Sequence, residues 1–300
     1  MKVFVTGATG VLGRVAVRAL LDDGHEVAGL ARGVDKARLL EAQGATPVCV
    51  HLFDVEKLGV ALRGFDAVCN LATHVPVGAS GLRRGSWRVN DRLRSEGSRA
   101  VAAAAEAAGV RRLVQESSSS LYADGGEEWI SETSPLSVTR ALEPAAVAES
   151  NAFSFSSATR EAVVLRFGRV VGDDPSTRWI LDRVRAGRPV GFGRSESWAH
   201  PVHPEDAGSA VAASLHAPGG IYNVGADPVR RGAMLGVFGD VVERSSVGFL
   251  PRLVVKLAGE RLEPLTRSHR VSSAKLHEVT GWKPAHPVFE PEWINTVGVE

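Results

Sequence analysis

The chain has 300 residues, 44% hydrophobic and 23% charged, and 35 Lys and Arg against 34 Asp and Glu give a formal net charge of +1. That balance excludes disordered, collagenous and membrane-spanning chains, and the absence of any acidic or basic block leaves no footprint for nucleic acid or an anionic membrane, so the expected partner is a small molecule. Cys49 and Cys69 lie in apolar runs, the pattern of buried thiols in a reducing compartment, and MKVFVTGATG reads as structure rather than as a secretion signal, so the expected location is cytoplasmic.

Through the first half, short β-branched runs alternate with alanine- and leucine-rich stretches, which predicts an α/β chain with a doubly wound parallel sheet. Strands are expected at Lys2–Val5, Glu26–Leu30, Thr46–Val50, Ala67–Leu71, Arg112–Gln115 and Ala162–Phe167. Helices are expected between them at Val11–Asp22, Val34–Ala42, Val55–Leu62, Asp91–Ala108 closed by Gly109, and Pro144–Ser157. Beyond about residue 170 the rhythm loosens into loops rich in Gly, Pro, Arg and Trp, with helices at Thr177–Ala186, Pro204–Leu215 and Arg230–Val242 and a short strand at Ile221–Val224. The expected division is a dinucleotide-binding domain over 1–170 and a smaller substrate-binding lobe over 171–300, their segments partly interleaved.

Thr6-Gly7-Ala8-Thr9-Gly10-Val11-Leu12-Gly13 follows a strand and opens a helix. In that context Gly7 permits the tight turn, Gly10 lets backbone approach a pyrophosphate, and Gly13 lets the helix pack close to the sheet, which makes the sheet Rossmann-type. The second strand ends Leu30-Ala31-Arg32 with no carboxylate before Asp35. An acidic residue there would repel a 2′-phosphate, whereas the Arg32 guanidinium, helped by Arg14, suits one. The reading favours NADP(H), with NAD the alternative if Arg32 is a solvated surface charge. Asp54 and Val55 are placed at the adenine edge, where Asp54 also fits a helix N-cap. Asn70, Leu71, Ala72 and Thr73 are placed along the middle of the cofactor.

These segments resemble the extended short-chain dehydrogenase/reductase superfamily, in its epimerase/dehydratase branch. The resemblance runs through TGATGVLG, DV at 54, NLAT at 70, Asn90 in WRVND, SSSSLY at 117–122, LRFGRVVG at 165–172, WAHPVHPEDAGSA at 198–210, IYNVG at 221 and TGWKPAHP at 280–287. It implies cofactor contacts from Gly168 and Val170, a Ser that holds the substrate oxygen, a proton-passing Tyr, a Lys four residues after it, and a homodimer face near 91–108 and 144–157. Counting back from Tyr122 puts the Ser at Ser118, with Ser119 beside it. The places of the Tyr and Lys read Ala145 and Glu149, and neither Tyr122 nor Tyr222 has a lysine four residues on.

Other residues must then supply the chemistry. Tyr122 leaves the same loop as Ser118, and projects towards the pocket or packs in the core; Glu149 offers a carboxylate near the substrate or lies exposed. His74, directly after Thr73, is the favoured histidine, while His200 borders the cleft and His203-Pro204-Glu205-Asp206 reads as a helix entry. Asn90, Trp179, Trp198 and His200 are assigned to the substrate, and the arginines from Arg83 to Arg94, Arg84 among them, mark an anionic-substrate site or a solvated face. The 9 histidines are scattered and no metal set is expected. The expected function is an NADP(H)-binding oxidoreductase of a small carbonyl or alcohol; the alternatives are a non-redox isomerase, cyclase or lyase, or a cofactor-sensing protein without turnover.

Overall fold

The computed structural model describes residues 1–83, 85–251, 253, 255 and 259–295. The apolar runs of the first half become β1 (Lys2–Thr6), β2 (Glu26–Leu30), β3 (Thr46–Val48), β4 (Ala67–Asn70), β5 (Arg112–Ser118) and, past the two-residue β6 (Trp129–Ile130), β7 (Glu161–Phe167). Helices α1 (Val11–Asp22), α2 (Val34–Gln43), α3 (Val55–Ala61), α4 (Arg88–Arg92), α5 (Ser98–Ala107) and α6 (Glu143–Phe155) lie between them. There follow β8 (Arg169–Val170), α7 (Pro175–Arg185), β9 (Trp198–Ala199), β10 (Pro201–Val202), α8 (Pro204–Ser214), β11 (Gly220–Val224), β12 (Val229–Arg230), α9 (Arg231–Val241), β13 (Arg270–Val271), α10 (Ala274–Thr280) and α11 (Glu292–Asn295).

The main sheet has seven strands in the order β11-β7-β5-β4-β1-β2-β3. Every pairing in it is parallel. The strands are nearly all apolar because helices cover both faces: α1, α2 and α8 pack on one core, and α3, α5 and α6 on the other. Strand order reverses between β1 and β4, where Thr6 pairs with Asn70, so the crevice beyond those two carboxyl ends is the ligand position this topology provides. Gly208 lets α8 lie close on α1, since a Cβ there would stand 2.6 Å from the Val15 carbonyl oxygen.

Four elements differ from the sequence expectation. Strand β5 runs on to Ser118 because its register with β7 continues to Phe167. The single helix expected over 91–108 is α4, a π-helical segment over Leu93–Gly97, and α5. There Ser95 Oγ donates to the Asp91 carbonyl at 2.7 Å and Ser98 Oγ to that of Arg94 at 2.5 Å, hydroxyls competing for helix acceptors. The strand near 221 is β11, the outer strand of the main sheet rather than part of the lobe, and Val202, Leu215, Leu276 and Trp282 join the same core. Cys69 is buried as expected, but Cys49 is exposed, because the edge strand β3 has already ended at Val48. A separate core of α7, α9 and the 289–294 segment, with Ile180, Phe238, Phe289 and Trp293, forms the lobe above the carboxyl ends.

Candidate functional site

At the switch point Gly7 adopts φ +67°, and a Cβ on it would lie 2.5 Å from the Leu71 carbonyl oxygen and 2.7 Å from Ala72 Cα. A Cβ on Gly13 would collide with the Gly7 carbonyl oxygen, whereas one on Gly10 would meet nothing but that oxygen, at 3.2 Å. Gly10 caps α1 without a side-chain hydrogen bond, so the first-turn N–H groups stay available to an anion. These features fit a dinucleotide pyrophosphate, with Thr9, Val11 and Leu12 partly exposed along the loop. Thr6 is fully buried and donates to Asn70 Oδ1 at 2.5 Å, Asn70 donates to Gln115 at 2.8 Å, and Gln115 to the Glu116 carbonyl at 2.8 Å. Thr6 therefore braces β1, β4 and β5 beneath the crevice rather than reaching into it, a correction to its expected cofactor contact.

On the β2 side, Arg32 is exposed and lines a cavity of about 540 Å³ with His51, Phe53, Arg88 and Arg92. Arg14 is engaged elsewhere, donating to the Asp173 backbone carbonyl and approaching its carboxylate at 3.4 Å. Asp54 accepts from Lys57 N at 3.1 Å as the N-cap of α3, and the hydrogen bonds from Lys57 hold its carboxyl below the usual range. Val55 is exposed beside it. Of the arginine run, Arg94 is not solvated: it pairs with buried Glu116 at 2.5 Å, and Arg84 lies outside the described residues.

After β4, Leu71 is buried and Ala72 and Thr73 are half-buried, while the exposed His74 is held by its backbone N–H donating to buried Asn90 Oδ1 at 3.1 Å. Asn90 thus positions this loop. Ser118, at the end of β5, is partly exposed and accepts from Ser120 N at 3.2 Å.

Two catalytic expectations are corrected. Tyr122 is fully buried, donates to Asn223 Oδ1 at 2.7 Å and has the Arg166 guanidinium 4.9 Å from its ring centre, and burial pushes its phenol pKa up. Glu149 accepts from Arg166 Nε at 2.8 Å and from its terminal nitrogen at 2.7 Å, and from Ser117 Oγ at 2.5 Å. Both residues are occupied inside the protein. Close by, burial pushes the Glu116 carboxyl up, with Arg94 opposing the shift and Glu149 reinforcing it.

A second cavity, about 90 Å³, opens from Ser119 and Ser120 into the lobe, walled by Arg169, Trp198, His200 and Phe238. His200 Nδ1 lies 3.1 Å from Ser119 Oγ, a pairing across 81 residues that no local spacing announces. Burial lowers the His200 pKa to about 3, so the imidazole is neutral at pH 7. Its Nε2 is buried without a hydrogen-bond partner among the described residues and presses on Gly225, where a Cβ would displace it. Gly168 is equally required, since its Cβ would strike the His200 carbonyl oxygen, so Gly168 packs behind His200, and Val170 continues into β8. Trp198 donates to Glu127 at 3.1 Å between Arg230 and Arg270, whereas Trp179 packs on Gly78 of the loop after β4. Sequence reading passed over Arg169, although its place directly after Gly168 at a strand end was a usable signal.

The fold also gathers His203, Asp206 and His286, ligand atoms within 4.8 Å of one another. Both Asp206 oxygens accept backbone N–H groups, from Ala285 at 2.7 Å and His286 at 3.0 Å, and so fasten that segment to the start of α8. Among the described residues no helix is long and apolar enough to cross a membrane.

Residues 7–184 match a family model described as NAD(P)H-binding. The chain is 31% identical over 320 residues to a 3-diazoavenalumate denitrifying reductase of a Streptomyces species, covering 100% of both chains. It is 28% identical over 235 residues to the 2-alkyl-3-oxoalkanoate reductase of Shewanella oneidensis, spanning 71% of this chain and 56% of that protein. Its fold is similar to that of UDP-glucose 4-epimerase from Thermus thermophilus in complex with NAD, with TM-score 0.77, 25% identity and coverage of 98% and 96%. It is likewise similar to a human epimerase family protein with NADPH, with TM-score 0.76, 21% identity and 96% of each chain. With its glycine cradle at the β1–β4 switch point, the chain belongs to the NAD(P)H-binding family and has the fold of the extended short-chain dehydrogenase/reductase, epimerase/dehydratase class.

Proposed function

We propose that the protein is a reductase of a small organic substrate that uses NADP(H) in preference to NAD(H). The observation that carries the reading is the glycine cradle at the switch point, together with Ser118 at the end of β5 and Ser119, next to it, which lines a pocket in the lobe. The bound nicotinamide would supply hydride. The N-terminus of α1 would hold the pyrophosphate, and Arg32 would fork onto a 2′-phosphate. Ser118 and Ser119 would orient the acceptor. With its Nδ1–H donating to Ser119 Oγ, neutral His200 would leave the Ser119 proton free to point into the pocket. His74, exposed on the crevice loop, stays a candidate proton carrier.

Because Tyr122 and Glu149 are tied up internally, the site favours acceptors that need no strong protein acid. The relative aligned over its whole length is named for a diazo compound. A diazonium acceptor takes hydride on its terminal nitrogen and then loses N2, its carbon gaining the hydrogen, with no alkoxide to be protonated. The family names of both relatives support a reductase. The test is consumption of NADPH against a panel of arenediazonium salts and aryl ketones. Oxidation of NADPH with release of product is expected; turnover with no net change in the cofactor refutes the redox reading and favours an isomerase or lyase. A homodimer through α5 and α6 and a cytoplasmic setting belong to the same reading, and sedimentation equilibrium tests the dimer.

A further inference from the structure

We propose that Arg169 is the anion-binding residue of the lobe pocket, so that the substrate presents a carboxylate on an apolar body; this rests on the reductase reading above. Arg169 leaves the sheet on β8, where its backbone N–H donates to the His200 carbonyl at 2.7 Å and fixes the root of the side chain. Its guanidinium lines the pocket and makes no hydrogen bond or ion pair to the described residues. The acid that acts on it, Asp174, spends its oxygens capping α7, accepting from Ser176 N at 2.7 Å, from Thr177 N at 3.2 Å and from the Thr177 hydroxyl.

The other charges of the pocket do not neutralise it. Arg267 is matched by Glu263 at 2.6 and 3.0 Å. Arg231 donates to the carbonyls of Phe192 and Arg267, both at 2.6 Å, acceptors that carry no net charge. Among the described residues no Asp or Glu lines the cavity, and His200 and His269 are neutral, burial holding them near 3 and 4. Two uncompensated guanidinium groups therefore face a space walled by Phe192, Trp198 and Phe238. Arg169 is solvent-exposed as a residue, while the packing around it keeps its pKa below the ordinary arginine value. A carboxylate matches the guanidinium fork with two parallel hydrogen bonds. The cavity of about 90 Å³ has room for that group and the first carbons behind it, with the reacting part of the molecule lying towards Ser118.

The experiment titrates the protein, with and without NADP⁺, with cinnamate, cinnamamide and phenyl phosphate, following tryptophan fluorescence and calorimetric heat. Cinnamate is expected to bind at least about tenfold tighter than the isosteric amide, the worth of a charge-assisted hydrogen bond in place of a neutral one. Arg169→Met is expected to remove that preference and Arg169→Lys to keep part of it, both with unchanged NADP⁺ affinity and melting temperature. Equal affinity for acid and amide, preference for phenyl phosphate, binding of no probe, or a preference that survives in Arg169→Met overturns the proposal. If the wild type binds cinnamate selectively but not NADP⁺, the reductase reading fails and the carboxylate site stands.

Discussion

Placing a lysine at 149, where the resemblance would put one, by Glu149→Lys is expected to damage the protein rather than create a catalytic dyad. In the wild type the Glu149 carboxylate is buried and takes both hydrogen bonds of a bidentate pair with Arg166, at 2.8 and 2.7 Å, and a third from Ser117 at 2.5 Å. Glu149→Ala leaves the buried Arg166 guanidinium without its counter-charge, which costs about 3–5 kcal/mol. Glu149→Lys adds to this a second cation, and at ~4 Å and an effective dielectric of about 20 the repulsion is a further ~4 kcal/mol before the side chains rearrange. Glu149→Gln, which retains acceptors for Ser117 and one arginine nitrogen, should cost only about 1–3 kcal/mol. Against a total stability of about 5–15 kcal/mol, the lysine variant should be largely unfolded or insoluble.

The assay is urea unfolding at pH 7 read by tryptophan fluorescence and far-ultraviolet circular dichroism, whose transitions must coincide for the energies to be comparable. The order expected is wild type, then Gln, Ala and Lys, with decreasing stability. The double variant Glu149→Ala/Arg166→Met, which removes both charges, should recover much of the loss of Glu149→Ala alone. A Glu149→Ala cost below about 1 kcal/mol, or a lysine variant as stable as the alanine one, would refute the account of this pair as a buried, interdependent unit.

Arg32→Ala should weaken NADP⁺ binding about tenfold or more while leaving NAD⁺ nearly unchanged, read by equilibrium titration; equal weakening of both would remove Arg32 from the 2′-phosphate. Gly7→Ala combines φ +67° with a Cβ only 2.5 Å from the Leu71 oxygen, so it should abolish dinucleotide binding and cost at least ~2 kcal/mol of stability, and retention of both would contradict the cradle geometry. His200 and His269 carry folded pKa values near 3 and 4, below the ordinary 6.5, so between those limits the unfolded chain binds protons that the folded one excludes. Stability should therefore fall as pH drops below about 6.5, by up to ~1.4 kcal/mol per pH unit for each histidine. Urea unfolding of His200→Gln between pH 7 and 5 should show a slope shallower by about one proton, and an unchanged slope would show that His200 does not stay neutral on folding.

The cradle was legible because its whole logic lies within eight consecutive residues: strand, turn, close approach and helix start occur in sequence between Thr6 and Gly13. Long-range partners were not. Tyr122 looked available until Asn223 and Arg166 closed over it from β11 and β7, and Glu149 looked like a free acid until Arg166, 17 residues further on, met it inside the sheet layer. The strand expected at Ile221–Val224 was assigned to the lobe because so short a run carries no mark of the strand beside which it will lie; the register of β11 with β7 decided that. The Ser119–His200 contact escaped for the same reason, although both residues had been noticed singly.

The two arginines at the end of β7 and the start of β8 show how one short segment divides structural from ligand-binding work. Arg166 is buried, faces Glu149 with its full fork and lies against Tyr122, so its charge is spent on holding α6 to the sheet. Arg169, beyond the strand end and the compact Gly168, carries the same charge to a pocket lined by no acid among the described residues. Arg169 is solvent-exposed and has no ion pair among the described residues, so its fork is open to a carboxylate, and a charge-assisted pair of hydrogen bonds would favour a charged substrate over its neutral analogue. One short segment thus neutralises one guanidinium on Glu149 inside the sheet layer and leaves the other without an ion pair among the described residues, at the pocket proposed for the substrate.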